Sequence, residues 1–466
     1  KNLPRELGLH PSIPSDTLPF INNFGFANFG AFTVGLRGST NWQLFDMVTW
    51  IKGNHTIKMG YDHRLNQANN FQREMPSHSF NFGAGLTQNP AAPAGTGAAF
   101  ATFLLGTVAN ATGFVYLGES QKSYSSSVFI QDDWRASRRL TLNLGLRWDY
   151  QQWPRERNNG ASNFDPNTNI PGTNLRGRTV FAGVDYGPSP FEPIYTNFGP
   201  RVGLAYDLSG KGKTVFRAGY SIYYPTTFYR DNFGSTSGFA NTQTQYIPPG
   251  GDTNLPAFLF RNGLPFPPTQ PLGARLGPAA FLGQNVTYDQ PNEKVPMSQQ
   301  WSASLQHQVM GWLLDATYSA NRGTHLVAGG YNLNAVTPEN WQYGLRLTQE
   351  RVPNPYAGQV PGALGGATIT LQQALAAFPY YNAVTVRNPH LGNSSYHALL
   401  FTAERRFQGG LVVLFSYTKG KLIADSMVTP INFGPGLEQV GFVGYQDPLG
   451  SRRLERSIDP TDIAQR

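Results

Sequence analysis

Residues 140–150 read Leu-Thr-Leu-Asn-Leu-Gly-Leu-Arg-Trp-Asp-Tyr. Every even position is apolar or aromatic, and every odd one is polar, charged or glycine. Period two held for eleven residues separates into two faces only in an extended strand. One face carries Leu140, Leu142, Leu144, Leu146, Trp148 and Tyr150, and the other Thr141, Asn143, Gly145, Arg147 and Asp149. A strand of about ten residues rises roughly 33 Å and, tilted by about 45°, spans about 23 Å. That matches the apolar band of an outer-membrane barrel and is long for a soluble sandwich. Trp148 and Tyr150 then fall at the height of an interfacial aromatic girdle.

The pattern recurs at 56–65, 200–208, 214–224 and 313–321. Less regular strands are expected at 42–51, 122–134, 297–307, 395–406 and 411–421, with weaker ones near 76–84 and 111–118, about twelve in all. Five connections are short: 52–54, 135–139, 209–213, 308–312 and 407–410. Long, polar, Gly/Pro-rich stretches at about 151–199, 225–296 and 322–393 alternate with them. A soluble sandwich has no reason to gather every long loop at one end. A membrane barrel has one, since its short turns face the periplasm and its long loops face outward. The fold class that follows is all-β, a large antiparallel transmembrane β-barrel with long extracellular loops and short periplasmic turns. Residues 367–378 suggest a short helix inside one loop.

Periodicity alone leaves open which face is wet. In a sandwich the leucine face is core; in a wide barrel it meets lipid, and the polar face lines the lumen. Strand length, loop asymmetry and terminal aromatics favour the barrel, with Trp134 and Trp312 in an inner girdle. The lumen-facing candidates are then Lys58, Asp62, Arg64, Arg147, Asp149, Arg201, Asp207, Arg217 and Asp315. Charges of both signs suit water or a polar plug. In the long loops, Tyr223, Tyr224, Phe228, Tyr229 and Tyr246 are candidate ligand platforms, since aromatics beside amides suit sugars or peptides. The same rings equally suit loops that pack on one another.

Composition agrees with a β reading: 31 Phe, 22 Tyr, 8 Trp, 51 Gly and 35 Pro, with only 14% charged residues. Aromatics favour strands, and Gly and Pro punctuate turns and loops. The absence of cysteine excludes disulfides, thiolate metal sites and cysteine catalysis. The net charge of +8 resides at turns such as 135–139 and 211–213 rather than in a long Lys/Arg run, which argues against nucleic acid. Solubilised turn tips explain it, with contact to acidic lipid headgroups as the other reading. Both ends of the chain read as cut, so an internal portion of a longer protein is expected. Ser209-Gly-Lys-Gly-Lys-Thr214 fails as a phosphate loop because Asp207 stands where glycine is required. No two of the eight histidines have the helical zinc spacing, though a hairpin could bring His55 and His63 together. No nucleophile or spaced acidic loop stands out. No cofactor and no enzymatic activity are expected.

Residues 127–150 contain Gln131-Asp-Asp-Trp134 in a strand–turn–strand unit. They resemble the corresponding hairpin of TonB-dependent outer-membrane receptors, specifically the Oar-like branch. Asn197 to Asp207, Lys213 to Tyr220, Gln300-Trp301 with Asn321 to Leu326, and Asn393 to Leu399 with Glu404 to Phe407 are similar to further strands of that family, in order. Phe100 to Gly106 is similar to its loop segment before the 122–150 hairpin. The resemblance covers most of 40–466 and makes 1–466 a portion of one barrel domain. It implies 22 strands, of which about twelve are in this chain, and a plug and terminal strands that are not. It also implies outer-membrane lipid and the TonB energy-coupling system, reached through the plug, as partners in a Gram-negative-type envelope. The implied function is uptake of a scarce solute, such as a peptide, an oligosaccharide or a metal chelate. The alternative is a surface adhesion or assembly protein that uses the barrel as an anchor.

Overall fold

A computed structural model describes residues 3–14, 17–116, 118–225, 235–239, 241–407, 409–425, 445, 447, 450 and 453–458. Ten long strands dominate it. In chain order they are β1 (Thr33–Lys52), β2 (His55–Glu74), β3 (Glu119–Trp134), β4 (Leu140–Gln151), β5 (Ile194–Asp207), β6 (Thr214–Tyr223), β7 (Met297–Val309), β8 (Trp312–Leu326), β9 (Gly392–Arg406) and β10 (Val412–Ala424). Each pairs antiparallel with its neighbours in sequence, so the sheet is an uninterrupted meander. Two short strands, Arg155–Glu156 beside β3 and Ser457–Ile458 beside β10, bring the sheet to twelve.

The turns follow the local chemistry. Between β1 and β2, Gly53 takes φ +56° in a two-residue loop. Between β7 and β8, Met310 and Gly311 take φ +47° and +78°, the two positive values that a tight hairpin matching strand twist requires. The five short turns join the strands at one end of the sheet, and the described parts of the connections 75–118, 152–193, 224–296 and 327–391 lie at the other.

The register reveals a stagger. One row of paired residues runs Trp50, Ile57, Asp132, Leu144, Val202, Tyr220, Trp301, Ala320, His397, Lys421. Trp50 stands two residues from the short-turn end of β1, and Lys421 nine residues from that end of β10. A shift of seven residues across nine strand steps corresponds to a tilt of about 30°, using about 3.3 Å per residue and about 4.8 Å per strand. Each residue along a strand then climbs about 2.9 Å. Tilt of this kind is what closing a sheet into a barrel demands.

Burial runs opposite to that of a soluble domain. Among the described residues, the buried apolar ones on the ten long strands are only Ala320, Ala398 and Ala424. The large exposed apolar side chains include Trp42, Leu44, Trp50, Val128, Ile130, Leu144, Leu146, Val202, Leu305, Leu399, Phe401 and Phe415, all on those strands. The conventional cores lie in the loops. One joins Phe164, Leu282, Phe378, Tyr381 and Val384 from three different loops. Another joins Ile13, Ile21, Phe80, Phe82, Val108, Tyr246 and Leu264 around a small sheet of Phe20–Asn22, Ser79–Asn81, Asn110–Tyr116 and Asn241–Tyr246.

The weak strands near 76–84 and 111–118 therefore belong to this loop body and not to the large sheet. The helix expected at 367–378 shrinks to Leu371–Ala374, preceded by a short strand Thr368–Thr370. His55 and His63 are not brought together: they sit eight residues apart on β2, about 26 Å along an extended chain.

Candidate functional site

The meander register sorts every strand residue onto one of two faces, because directly opposed residues in an antiparallel pair project to the same side. The leucine residues of β4 share a face with Ile57, Met59, Ile130, Val202, Phe216, Leu305, Leu399 and Phe415. The opposite face is polar. Two adjacent rows cross its middle: Gln131, Gly145, Arg201, Ser221, Gln300 and Asn321; then Asp133, Asn143, Gly203, Gly219, Ser302 and Ser319. Between them lies a cavity of about 600 Å³.

Three glycines make the space. A Cβ on Gly145, Gly203 or Gly219 meets nothing closer than 3.5 Å, so the backbone does not require glycine there. What their missing side chains do is empty the floor. Arg201 stands over it with its guanidinium carbon 4.8 Å from the centre of the Tyr223 ring. The cavity's other polar side chains on this face are amides and hydroxyls, and its lining includes no histidine or carboxylate. Such a surface can bind through hydrogen bonds and one cation, and it holds no nucleophile–base pair.

The other charged residues of this face are mostly neutralised locally. Lys58 reaches Asp133 at 3.2 Å, and Asp133 also accepts from Asn143 at 2.6 Å and Gln131 at 3.2 Å. Asp62, nearly buried, accepts from Arg64 at 2.8 Å and Gln43 at 2.9 Å. Arg147 donates to Asp149 at 2.8 Å and to Ser127 at 2.6 Å. The ion pairs Asp62–Arg64 and Arg147–Asp149 join residues two apart on one strand, the nearest same-face spacing. Arg217 donates to Gln306 at 2.9 Å, and Asp315 accepts from Thr317 at 2.6 Å.

Asp207 departs from its expected role. Its carboxylate accepts from the backbone N–H groups of Ser209, Gly210 and Gly212 and from the Ser209 hydroxyl, so it folds the turn instead of lining the face. Of the aromatic candidates, Tyr223 lines the trough, while Tyr224 packs against Trp153, Phe191 and Val295. Tyr246 is 2% exposed inside the loop core and donates to the Phe266 carbonyl, so its ring is not a ligand platform. Burial pushes its hydroxyl up to about 12. Phe228 and Tyr229 lie outside the described residues.

Two residues break the alternation of β3. Phe129 lies on the polar face, where its ring covers the space above Gly60. Asp132 lies on the apolar face near the short-turn end, where it accepts from His55 Nδ1 at 2.6 Å; the His55 ring stacks on Trp134 at 5.2 Å. Ser127 and Gln43, which complete the buried charge cluster, carried no signal beyond their parity.

An inverted burial pattern, a tilted meander and a polar trough are properties of a membrane sheet, and residues 2–466 match the family model described as outer membrane beta barrel domain. The chain belongs to this family. It is an outer-membrane β-barrel protein. Among solved structures, it is similar to the outer membrane transporter YddB from Escherichia coli, at 11% identity over 89% of this chain and 38% of that one, TM-score 0.42. It is also similar to the copper transporter OprC, at 11% identity over 84% and 41%, TM-score 0.35. A third is the FrpB iron transporter from Neisseria meningitidis, at 9% identity over 84% and 36%, TM-score 0.34. The chain thus spans about two fifths of the length of these proteins. No curated protein matches it.

Proposed function

We propose that the chain is the barrel portion of a TonB-dependent receptor of the Oar-like type, with the polar face lining the lumen and the leucine face against lipid. Lys58, Asp62, Arg64, Arg147, Asp149, Arg201, Arg217 and Asp315 are then lumen residues, and the short turns are periplasmic. The loops capture a scarce solute, and a plug outside this chain gates its passage through coupling to the inner membrane. The observation that carries this is the trough: two in-register polar rows, hollowed by three glycines, on the face opposite the exposed leucines. A barrel used only as an anchor has no need of a hollow, polar inner wall.

The full-length protein, expressed in Gram-negative cells, is given defined mixtures of peptides, oligosaccharides and ferric chelates, and depletion from the medium is followed. One class is expected to be depleted, and only while the cells hold a proton-motive force. Gly203→Val, which fills the trough, is expected to lower uptake without lowering the amount of folded barrel. Surface binding with no energy-dependent depletion of any class would favour the anchor reading.

A further inference from the structure

We propose that the apolar face carries, at its long-loop end, a docking site for an anionic, phosphate-bearing lipid headgroup of the outer leaflet, formed by Arg322, Lys419 and Lys421 around a Tyr318–His397–Ser395 cluster. The site rests on the reading that this face meets lipid. Register places all six residues on that face: Arg322 opposes Ser395, His397 opposes Lys421, and Leu399 opposes both Tyr318 and Lys419. Arg322, His397, Lys419 and Lys421 are exposed.

Their height fits a headgroup. Arg322 stands ten residues above the short-turn end of β8, and Lys421 nine above that end of β10. At about 2.9 Å per residue these are about 29 and 26 Å, at the upper edge of an apolar band about 25 Å tall. Lys419 starts near 20 Å, and its four-carbon stem can carry the ammonium to the same edge while packing on apolar neighbours. Lys419 and Lys421 are two residues apart on one strand, and Arg322 lies two strands away, so a single headgroup falls within reach of all three.

The floor between the cations is built from an imidazole and two hydroxyls. His397 Nδ1 lies 2.7 Å from the Tyr318 hydroxyl and Nε2 lies 2.9 Å from the Ser395 hydroxyl. Its ring stacks on Tyr318 and meets Trp301 edge-on, with centroids 6.1 Å apart in each case. Hydroxyls that engage the imidazole on both sides leave polar groups able to hydrogen-bond phosphate oxygens. Between Tyr318 and Arg322, Ser395 and Leu399, and Lys419 and Ile423, the residues of this face include no Asp or Glu. The short-turn end contrasts: there the carboxylate on this face, Asp132, is matched by His55. Among the described residues no ion pair joins Arg322, Lys419 or Lys421 to a carboxylate, the next one, Asp425, being taken up by Asn393, and three cations at headgroup height complement a phosphate.

The test uses the full-length protein in detergent, titrated with phosphatidylglycerol or phosphatidylcholine and read by native mass spectrometry. The wild type is expected to retain phosphatidylglycerol in preference to phosphatidylcholine. The variant R322Q/K419Q/K421Q is expected to lose that retention by about 100-fold, near fivefold per cation. R322K/K419R/K421R is expected to keep it. If the triple glutamine variant does not fold, R322Q and K421Q are each expected to show their own fivefold loss. Unchanged phosphatidylglycerol binding in the glutamine variants overturns the site. A separate readout guards the underlying reading: Leu399→Cys, the sole thiol in a cysteine-free chain, carries a fluorophore quenched by lipids with brominated acyl chains. Absence of quenching overturns lipid exposure of this face. Quenching with unchanged headgroup binding overturns the headgroup site alone.

Discussion

A depth series of arginines along β4 tests the facing of the sheet and its position in the membrane together. Leu144 is 41% exposed on the apolar face, four residues above Leu140. That places it about 12 Å from the short-turn end, near the middle of an apolar band about 25 Å tall. Arginine at the midplane of a lipid-facing strand costs about 2–4 kcal/mol, falling to about 0–1 near either interface. Leu144→Arg is therefore expected to cost about 2–4 kcal/mol, and Leu140→Arg, at the rim, about 0–1. Tyr150→Arg lies at the opposite rim. It loses a stacked ring pair with Tyr195 at 5.1 Å, worth about 0.5–1.5 kcal/mol, and otherwise little. The control is the adjacent residue. Asn143 points into the trough with its amide 2.6 Å from Asp133, so Asn143→Arg keeps a carboxylate partner, gains open space and is expected to cost under about 1 kcal/mol. The assay is urea titration of the full-length protein folded reversibly into phospholipid vesicles, followed by tryptophan fluorescence. Equal costs at 143 and 144, or a profile that does not peak at Leu144, would falsify the facing argument.

Three further outcomes are expected. Asp289, wholly buried in the loop body, holds Arg387 through two hydrogen bonds of 2.9 and 3.1 Å. Asp289→Asn is expected to destabilise that body by about 3–5 kcal/mol, seen as faster proteolysis of the loops while the strand sheet stays intact. Burial pushes His78 down from 6.5 to about 4, and its Nδ1 accepts from the Phe114 N–H. Because the unfolded chain binds the proton first, the contribution of neutral His78 is complete above about pH 6.5 and is lost as pH falls toward 4, roughly 3 kcal/mol in total. Proteolysis of the 75–118 loop against pH should show that dependence, and His78→Gln should flatten it. Finally, a Cβ on Gly60 meets the Phe129 ring at 2.6 Å, so Gly60→Ala is expected to cost about 1–3 kcal/mol. Phe129→Leu should recover part of this in the same urea titration.

The inner two thirds of the sheet were legible because lipid on one side and a polar wall on the other force period two wherever a strand crosses the band. The pattern at 56–65 stops where the crossing ends, yet β2 runs on to Glu74. Above the membrane, both faces are wet and nothing imposes alternation. Short strands near 76–84 and 111–118 were legible as strands, but local alternation does not say which sheet a strand joins. Asn110–Tyr116 takes as its outer partner Asn241–Tyr246, from a loop over a hundred residues away. Tyr246 failed as a ligand candidate for the same reason. An aromatic in a polar loop has the same local sequence whether it faces solvent or anchors a core assembled from distant segments. The trough was half legible. Arg201 followed from parity, but the hollow depends on Gly145, Gly203 and Gly219 falling in adjacent rows, which only the register between β4, β5 and β6 decides.

The register also explains why a carboxylate can stand directly opposite a membrane-buried leucine. Asp132 pairs with Leu144 across β3 and β4. In an untilted sheet both would lie at one depth, and the charge would face hydrocarbon. The stagger sets Asp132 lower than Leu144 by about 2.4 Å, at about 4.8 Å per strand and a tilt of about 30°, and Asp132 is only two residues, about 6 Å, from the short-turn end of β3. At about 6 Å, Asp132 meets His55, whose ring stacks on Trp134, the groups of an interface. Followed along its whole length, the same row begins Trp50, Ile57, Asp132, passes through Leu144, Val202, Tyr220, Trp301 and Ala320, and ends at His397 and Lys421. Charge or imidazole near either end, at Asp132 and at His397 and Lys421, with an uncharged stretch from Leu144 to Ala320 between, is a gradient perpendicular to the strands. A soluble sandwich does not produce it, because there a hydrogen-bonded row stays on one core-facing surface from edge to edge. A tilted sheet in a bilayer does, since each row must climb from one interface to the other. The composition of a single row thus argues for membrane crossing without appeal to strand length.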